Sequence, residues 1–293
     1  MAATTDIDWT DATDNPVTHH CDPVSEECDN CFARTIADRW HGKGYFTSGP
    51  PVIIPARLLL PWRDPKVREA HRRFLFSMSD PFHGGLPFDD QALLWGWMAA
   101  DWRRVHQALT KRDGIMRSRL SSPRFEAAAR AHLRTLEDMA RDAKRVTPWR
   151  QQMLEDISHA RANWTWPLRN VWLGVSAGTQ RSAERRLSNL VETPAATRIV
   201  SCEPLLEELD VTPWIALGRG GTVIHQVIGG GESGSRYRPV NIDHARSLRD
   251  QCIRNNVPFW WKQNGGLTHN AGGDLLDGRQ WKQFPVPRPG VLV

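Results

Sequence analysis

The sequence predicts an α/β protein built as a partial (β/α) TIM-like barrel of about six to seven parallel strands, with a helical insertion. Three observations point there. The apolar β-like runs resemble buried parallel strands, and most alternate with segments of helical period. Nearly every such run ends on a polar or charged residue, which is where a (β/α) barrel carries its functional groups. With 293 residues the chain is long enough to form such a barrel as a single domain over 1–293. A doubly wound open sheet is the second architecture that the same alternation allows.

Taken in order, residues 34–40 continue a short helix behind a cysteine-bearing segment. Residues 73–78 (RFLFSM) read as a strand stopped by Ser79-Asp80-Pro81, and 90–102 as a helix with Leu93, Leu94, Trp97 and Met98 apolar. Residues 105–110 form the next strand and run into Lys111-Arg112. Ser122-Pro123 is a helix start, a cap residue followed by proline in the first turn. Phe125, Ala129, Leu133, Leu136, Ala140 and Ala143 then recur on one helical face. A break at Pro148 and a further helical stretch complete an insertion or lid at 114–168. The alternation resumes with a strand at 170–176, a helix at 180–192 (Ala183, Leu187, Leu190 and Val191 apolar) and a strand at 198–203. It ends with a strand at 223–228 before Gly229-Gly230-Gly231-Glu232, a helix at 242–253 and a strand at 258–262. The tail from Pro285 reads as extended and loosely held.

Composition is that of an ordinary globular chain, 40% hydrophobic and 24% charged. No apolar run reaches membrane-spanning length and the N-terminus is polar and acidic, so the expected location is the cytoplasm, away from membranes. The net charge of +5 is mild, but residues 111–150 hold 11 Lys or Arg against five Asp or Glu. Such an excess attracts phosphate backbones, and it equally describes the solvated face of amphipathic helices. Of the 14 tryptophans, most are expected to fill cores.

The most informative feature is Cys21, Cys28 and Cys31, a C-x6-C-x2-C spacing in a chain with two other cysteines. Three thiolates can hold three irons of a [4Fe-4S] cluster and leave the fourth iron open to a ligand. The same spacing suits a structural zinc site with His19 or His20 as fourth ligand, or a set of free thiols. Polar residues ending the strands are candidates for a barrel mouth: Ser77, Ser79 and Asp80; Lys111 and Arg112; Ser176; Glu203; Gly230, Gly231 and Glu232; Lys262 and Gln263. Ile199, Ser201 and Glu203 share one strand face, so Glu203 reaches the mouth and Cys202 turns to the core. The Gly-Gly-Gly-Glu turn either presents backbone N–H groups to an anion or serves merely to leave the strand. Lys111, Glu203 and Lys262 are the candidate catalytic residues.

Further segments stand out in order along the chain: Asp8-Trp9-Thr10-Asp11-Ala12, Asn15-Pro16-Val17-Thr18, Cys28-Asp29-Asn30-Cys31-Phe32-Ala33, Ser77-Met78-Ser79-Asp80-Pro81-Phe82-His83 and Leu109-Thr110-Lys111-Arg112. Asn170-Val171-Trp172-Leu173-Gly174-Val175-Ser176, Ser201-Cys202-Glu203-Pro204-Leu205-Leu206, Gly230-Gly231-Glu232-Ser233-Gly234 and Lys262-Gln263 continue the series. Together they resemble a family of phage and bacterial proteins of unassigned function that is remotely similar to radical S-adenosylmethionine (SAM) enzymes, including the spore photoproduct lyase branch. The resemblance implies a [4Fe-4S] cluster on Cys21, Cys28 and Cys31, with SAM on the open iron. It also implies an electron donor such as flavodoxin or ferredoxin, and a nucleic acid or nucleotide is the candidate substrate. Implied cofactor contacts are Ser77, Ser79, Asp80, Ser176, Gly230, Gly231 and Glu232. Two departures stand out. The first cysteine gap is six residues where three is commonest, and Gly-Gly-Glu follows a late strand, which leaves Asp80 as the candidate contact for the SAM amine. A third lies at Ala177-Gly178-Thr179-Gln180, where relatives tend to carry Val-Glu-Asn-Gln.

Overall fold

The computed structural model describes residues 5–142, 147–216, 224–268 and 272–285. Seven strands form one sheet: β1 (Ala12–Asp14), β2 (Arg72–Leu75), β3 (Val105–Thr110), β4 (Val171–Ser176), β5 (Thr197–Cys202), β6 (Gln226–Gly229) and β7 (Phe259–Trp261). They pair in chain order and every pair is parallel. A doubly wound sheet must reverse its order at a switch point. Here the order never reverses, so the expected partial barrel is the observed architecture: an open, curled half-barrel with helices on its outside.

The curl is visible in the packing of the inner face. Phe284 touches side chains from three separate strands. Its ring centroid lies 6.4 Å from that of Trp172 on β4 and 4.7 Å from that of Trp260 on β7, with the Arg72 guanidinium of β2 3.7 Å above it. Trp9, Phe74, Ile228 and Trp260 form one inner cluster, and Val105, Trp172 and Ile199 another. These side chains close the floor of the half-barrel. The free edge of β7 is covered by residues 281–283, where Trp261 N–H donates to Trp281 O (2.9 Å) and Gln283 N–H to Phe259 O (3.2 Å). Lys282 reaches the Asp8 carboxylate and the Trp260 indole donates to Asp8 at 3.2 Å, which draws the last strand toward the first. A covered edge cannot template further strands.

Among the described residues, the helices longer than five residues are α1 (Phe32–His41), α2 (Phe88–Ala100), α3 (Asp113–Leu120), α4 (Pro123–Arg141), α5 (Pro148–Ala162), α6 (Gln180–Glu192) and α7 (Ile242–Arg254). α6 starts at Thr179, whose hydroxyl accepts from Ser182 N–H (3.3 Å), and α7 at Asn241, whose side chain accepts from Asp243 N–H (3.0 Å). α4 buries Phe125, Ala129, Leu133, Leu136 and Ala140 as its period requires, while Ala143 lies outside the described residues. That face packs on α2. α2 is therefore covered by the sheet on one side and by α4 and α5 on the other, which is why nearly all of it is buried. The tryptophans mostly serve this core. Trp97 donates to Leu58 O (2.9 Å), and Trp62 to the Asp156 carboxylate (3.0 Å).

Some expectations need correction. β1 is a strand that periodicity did not reveal, because three residues are too few to show one. The strand expected at 73–78 stops at Leu75: Phe76 has φ +64°, a left-handed conformation that breaks the ladder and turns Ser77-Met78 out of the sheet. Glu203 and Lys262 lie just past β5 and β7 rather than inside them. Val223 falls outside the described residues, and β6 begins at Gln226. Pro285, expected in a loose tail, is buried, and residues 286–293 lie outside the described set. Of the helices in the expected insertion or lid, α4 and α5 pack on α2 as a second helical layer, and α3 packs on α6.

Candidate functional site

A sheet of seven parallel strands brings all of its C-terminal ends to one rim. The residues that sequence reasoning placed at strand ends therefore converge. Ser77, Ser79 and Asp80 follow β2, Lys111 and Arg112 follow β3, and Ser176 ends β4. Glu203 follows β5, Gly230 to Glu232 follow β6, and Lys262 and Gln263 follow β7. Ser176 is paired in register with Ser201. Lys262 Nζ donates to Glu203 Oε1 at 2.5 Å with both side chains partly exposed, so this ion pair faces the mouth. The Lys111 side chain is half-buried and makes no hydrogen bond or ion pair among the described residues, whereas its N–H donates to Asp80 (3.1 Å). The Ser79 hydroxyl is buried without a partner among the described residues.

β1 ends at the same rim, so the cysteine segment that follows is laid along it. Four latches hold it. The Asn15 side chain donates to Ser77 Oγ (3.1 Å) and accepts from Met78 N–H (2.9 Å) beyond β2. The Asp22 carboxylate pairs with His83 and with Arg112 (3.3 Å) beyond β2 and β3. Glu27, fully buried, accepts from Gly178 N–H (3.1 Å) and Arg186 (3.0 Å) beyond β4. Asn30 donates to Glu232 Oε2 (3.0 Å) and Arg236 O (2.8 Å) beyond β6. Burial opposes the charge on Glu27, yet the Ser182 and Ser25 hydroxyls, the Arg186 cation and the Gly178 N–H pull its carboxyl down to about 2. Glu232 is also held below the usual carboxylate range: burial opposes its charge, but Arg238 (2.7 Å) and Asn30 outweigh it.

Cys21, Cys28 and Cys31 are all unbridged and half-buried. Cys21 and Cys31 pack against one small apolar cluster that includes Ala33, Phe46 and Met78. Cys28 Sγ lies 4.0 Å from Ser25 Oγ. Arg112 Nη1 donates to Cys21 Sγ at 3.4 Å. Burial pushes the Cys21 thiol up to about 11, with Arg112 acting in the opposite sense. Among the described residues no three His, Cys, Asp or Glu side chains stand together as a preformed metal-holding group. Three free thiols share this one rim loop, and Cys21 and Cys31 border the same apolar cluster. Of the histidines offered as a fourth zinc ligand, His20 uses Nδ1 on Tyr45 O (2.9 Å) and His19 lies against the Trp40 and His41 rings.

Several expected cofactor contacts have other partners. The Asp80 carboxylate accepts from Thr110 Oγ1 (2.7 Å), Phe82 N–H (2.9 Å), Lys111 N–H and Arg112 (3.1 Å), and so orients Arg112. The N–H groups of Gly230 and Gly231 are bonded to Cys202 O (3.2 Å) and Gln263 O (2.8 Å), so they are not open donors. What glycine supplies at 231 is close packing: a Cβ there would meet Asn264 O at 2.4 Å. Gly178 is constrained likewise, with Pro204 O 2.0 Å from where its Cβ would stand, which is a physical reason for the departure noted at Ala177-Gly178. Cys202 is the core thiol expected, pushed up to about 12 by burial. Asn15, Asp22, Glu27, Asn30, Arg186 and Arg238 were missed. Apart from Arg238, which pairs with Glu232 six residues away, their partners lie tens to hundreds of residues away in sequence, and only the resemblance at Asn15-Pro16 and Asn30-Cys31 hinted at any of them.

Fold and rim together define a class: a partial (β/α) barrel with a cysteine-bearing loop clamped across the C-terminal ends of its strands. The chain belongs to the family described as "Protein of unknown function (DUF5131)", whose model matches residues 4–285. No curated protein and no solved structure matches the chain.

Proposed function

We propose that this protein is a radical-SAM-type enzyme that binds a [4Fe-4S] cluster through Cys21, Cys28 and Cys31 and acts on a nucleic acid or nucleotide in the cytoplasm. The observation that carries this reading is the placement of three free thiols on a loop latched over the C-terminal rim of a parallel half-barrel. The sequence resemblance to phage and bacterial relatives, and remotely to radical-SAM enzymes, supports the same reading. When bound, such a cluster supplies the single electron that breaks a carbon–sulfur bond of SAM, with flavodoxin or ferredoxin as electron donor.

The chain's own residues account for the rest of the site. Ser77, Ser79 and Ser176 offer hydroxyls for SAM at the ends of β2 and β4. Lys111, whose side chain has no hydrogen bond or ion pair among the described residues, offers a cation for a phosphate or carboxylate, and the Glu203–Lys262 pair can hold or move a proton at the mouth. The aromatic floor of Trp9, Trp172, Trp260 and Phe284 excludes water from below. Arg124, Arg130, Arg134 and Arg141 are exposed along α4 and supply the basic surface for a phosphate backbone. Among the described residues no helix is long and apolar enough to cross a membrane.

Anaerobic purification followed by metal and colour analysis tests the proposal. A brown protein with about four irons per chain, which releases 5′-deoxyadenosine from SAM after reduction, is the expected result. A colourless chain with one zinc supports a zinc-stabilised nucleic-acid-binding module instead. A metal-free folded chain supports a phage-associated interaction protein. Either outcome overturns the enzyme.

A further inference from the structure

We propose that the exposed face of α1 and the turn behind it, centred on Trp40, is a base-stacking platform for single-stranded nucleic acid. The inference rests on the nucleic-acid side of the reading above, narrows it to unpaired strands, and needs no metal.

Trp40 is 63% exposed, although α1 buries Ala33 and Ala37 on its inner side. Most of a large ring thus lies in water, where it adds little to the core. Its one ring neighbour among the described residues is His19, with centroids 5.9 Å apart, and its indole N–H makes no hydrogen bond there. Behind it the rings continue. His19 lies 6.0 Å from His41, which stacks on Tyr45 at 4.2 Å, and Tyr45 lies 4.3 Å from His20. His20 Nδ1 is bonded to Tyr45 O (2.9 Å) and Cys21 N–H donates to Phe46 O (2.9 Å), so this ring cluster is fixed beside the rim loop. Phe32, 48% exposed and about 12 Å earlier on the same helix, presents a second ring.

The charge around the rings is mostly of one sign. Residues 32–48 hold Arg34, Arg39 and Lys43 against a single acid, Asp38. Asp38 is engaged locally, where it accepts from Phe46 N–H (2.9 Å). Arg39 and Lys43 are exposed and make no ion pair among the described residues. Gly42 and Gly44, at φ +107° and +88°, flank Lys43 with open space where a Cβ would stand, so a strand can approach the backbone there. An exposed aromatic face beside unpaired cations is what an unpaired base and its phosphate require. A duplex keeps its base faces inside the stack, so such a ring selects single strands. The plainer alternative is that Trp40 only shields His19, in which case its removal changes stability and not binding.

The test is fluorescence anisotropy of a labelled oligothymidylate and of a blunt duplex of equal length, each over a range of salt. Wild type, Trp40→Ala, Trp40→Phe and the double variant Arg39→Gln/Lys43→Gln are compared as full-length protein, with a thermal melt of each. Trp40→Ala should weaken single-strand binding by about 5- to 150-fold, the worth of one stacked base, with its salt dependence as in wild type. Duplex binding should be unchanged in that variant, and Trp40→Phe, which keeps a ring, should recover part of the single-strand affinity. The double variant should reduce the slope of log K against log salt by about 1.4. Wild-type single-strand affinity in Trp40→Ala, an equal loss on both probes, or a wild-type chain that binds no single strand overturns the inference. So does self-association of the free chain that Trp40→Ala abolishes in ultracentrifugation, because the face would then belong to a second copy. Should Trp40→Ala fail to fold, wild-type affinity and salt slope in the other two variants overturns it. The cluster reading fails separately: a wild-type chain that takes up no iron but binds the strand sinks the enzyme and leaves this platform standing.

Discussion

The Glu27–Arg186 pair is the deepest of the four latches, and its removal has a calculable consequence. Both side chains are essentially inaccessible to water, at 0% and 1% exposed. Glu27→Ala leaves the Arg186 cation buried without its counter-ion, and breaking a buried pair from one side costs about 3–5 kcal/mol. Arg186 would keep Ser176 O (2.7 Å) and Ser25 Oγ (2.8 Å), which places the cost near the lower bound, about 3 kcal/mol. For a chain of this size that corresponds to a melting temperature lowered by about 6 °C. Urea titration and a thermal melt read the loss directly. Iron per chain should fall in the same variant, because Cys28 is next in sequence to the lost latch. In Glu27→Leu/Arg186→Met no charge is left unpaired, so this double variant should recover most of the stability. A melt of Glu27→Ala within about 1 °C of wild type, or strict additivity of the two single variants, would refute the assignment of Glu27 as the buried anchor of the loop.

Cys28→Ala should abolish cluster loading, seen as loss of brown colour and iron, while circular dichroism stays native because the thiol is half-buried and its bond to Ser25 Oγ is long at 4.0 Å. Gly231→Ala should destabilise the protein by about 1–3 kcal/mol in urea titration, since the new methyl group meets the Asn264 carbonyl. His106 is fully buried, and burial, then the Arg73 and Arg104 cations, hold its pKa well below the usual histidine value. The unfolded chain then binds a proton below about pH 6.5 that the folded chain refuses. Stability should therefore be fully present above that pH and fall on acidification, by up to about 1.4 kcal/mol per pH unit, and this slope should vanish in His106→Gln. Trp172→Ala removes a fully buried side chain from the barrel floor and should cost about 3–5 kcal/mol by the same urea assay.

The parts of this protein that depend on local rules were legible in the sequence. Apolar runs such as that at β4, and the repeat of Phe125, Ala129 and Leu133 in α4, announce strand and helix because burial enforces a period on each. The polar ends of strands identified the mouth for the same reason, since a parallel sheet must present its C-terminal ends together. Three cysteines in one short segment marked a candidate site, and the structure places that segment along the rim. β1 escaped because three residues carry no period, and the early end of β2 escaped because a positive φ at Phe76 leaves no compositional trace. The outward packing of α4 and α5 depended on which surface of α2 lay open to them, and that is decided between elements far apart in the chain.

By itself the sequence determined the alternating α/β character, the helix starts, the apolar faces and the identity of the donors at the rim. Only the tertiary structure decided how those donors are held: Glu27 against Arg186, Asn30 against Glu232 and Arg112 against Cys21. Periodic burial is written into neighbouring residues, so it can be read along the chain. A buried ion pair or a latch joins residues as much as 206 positions apart. Its partners come together only once the sheet has curled, and desolvation then makes the pairing obligatory.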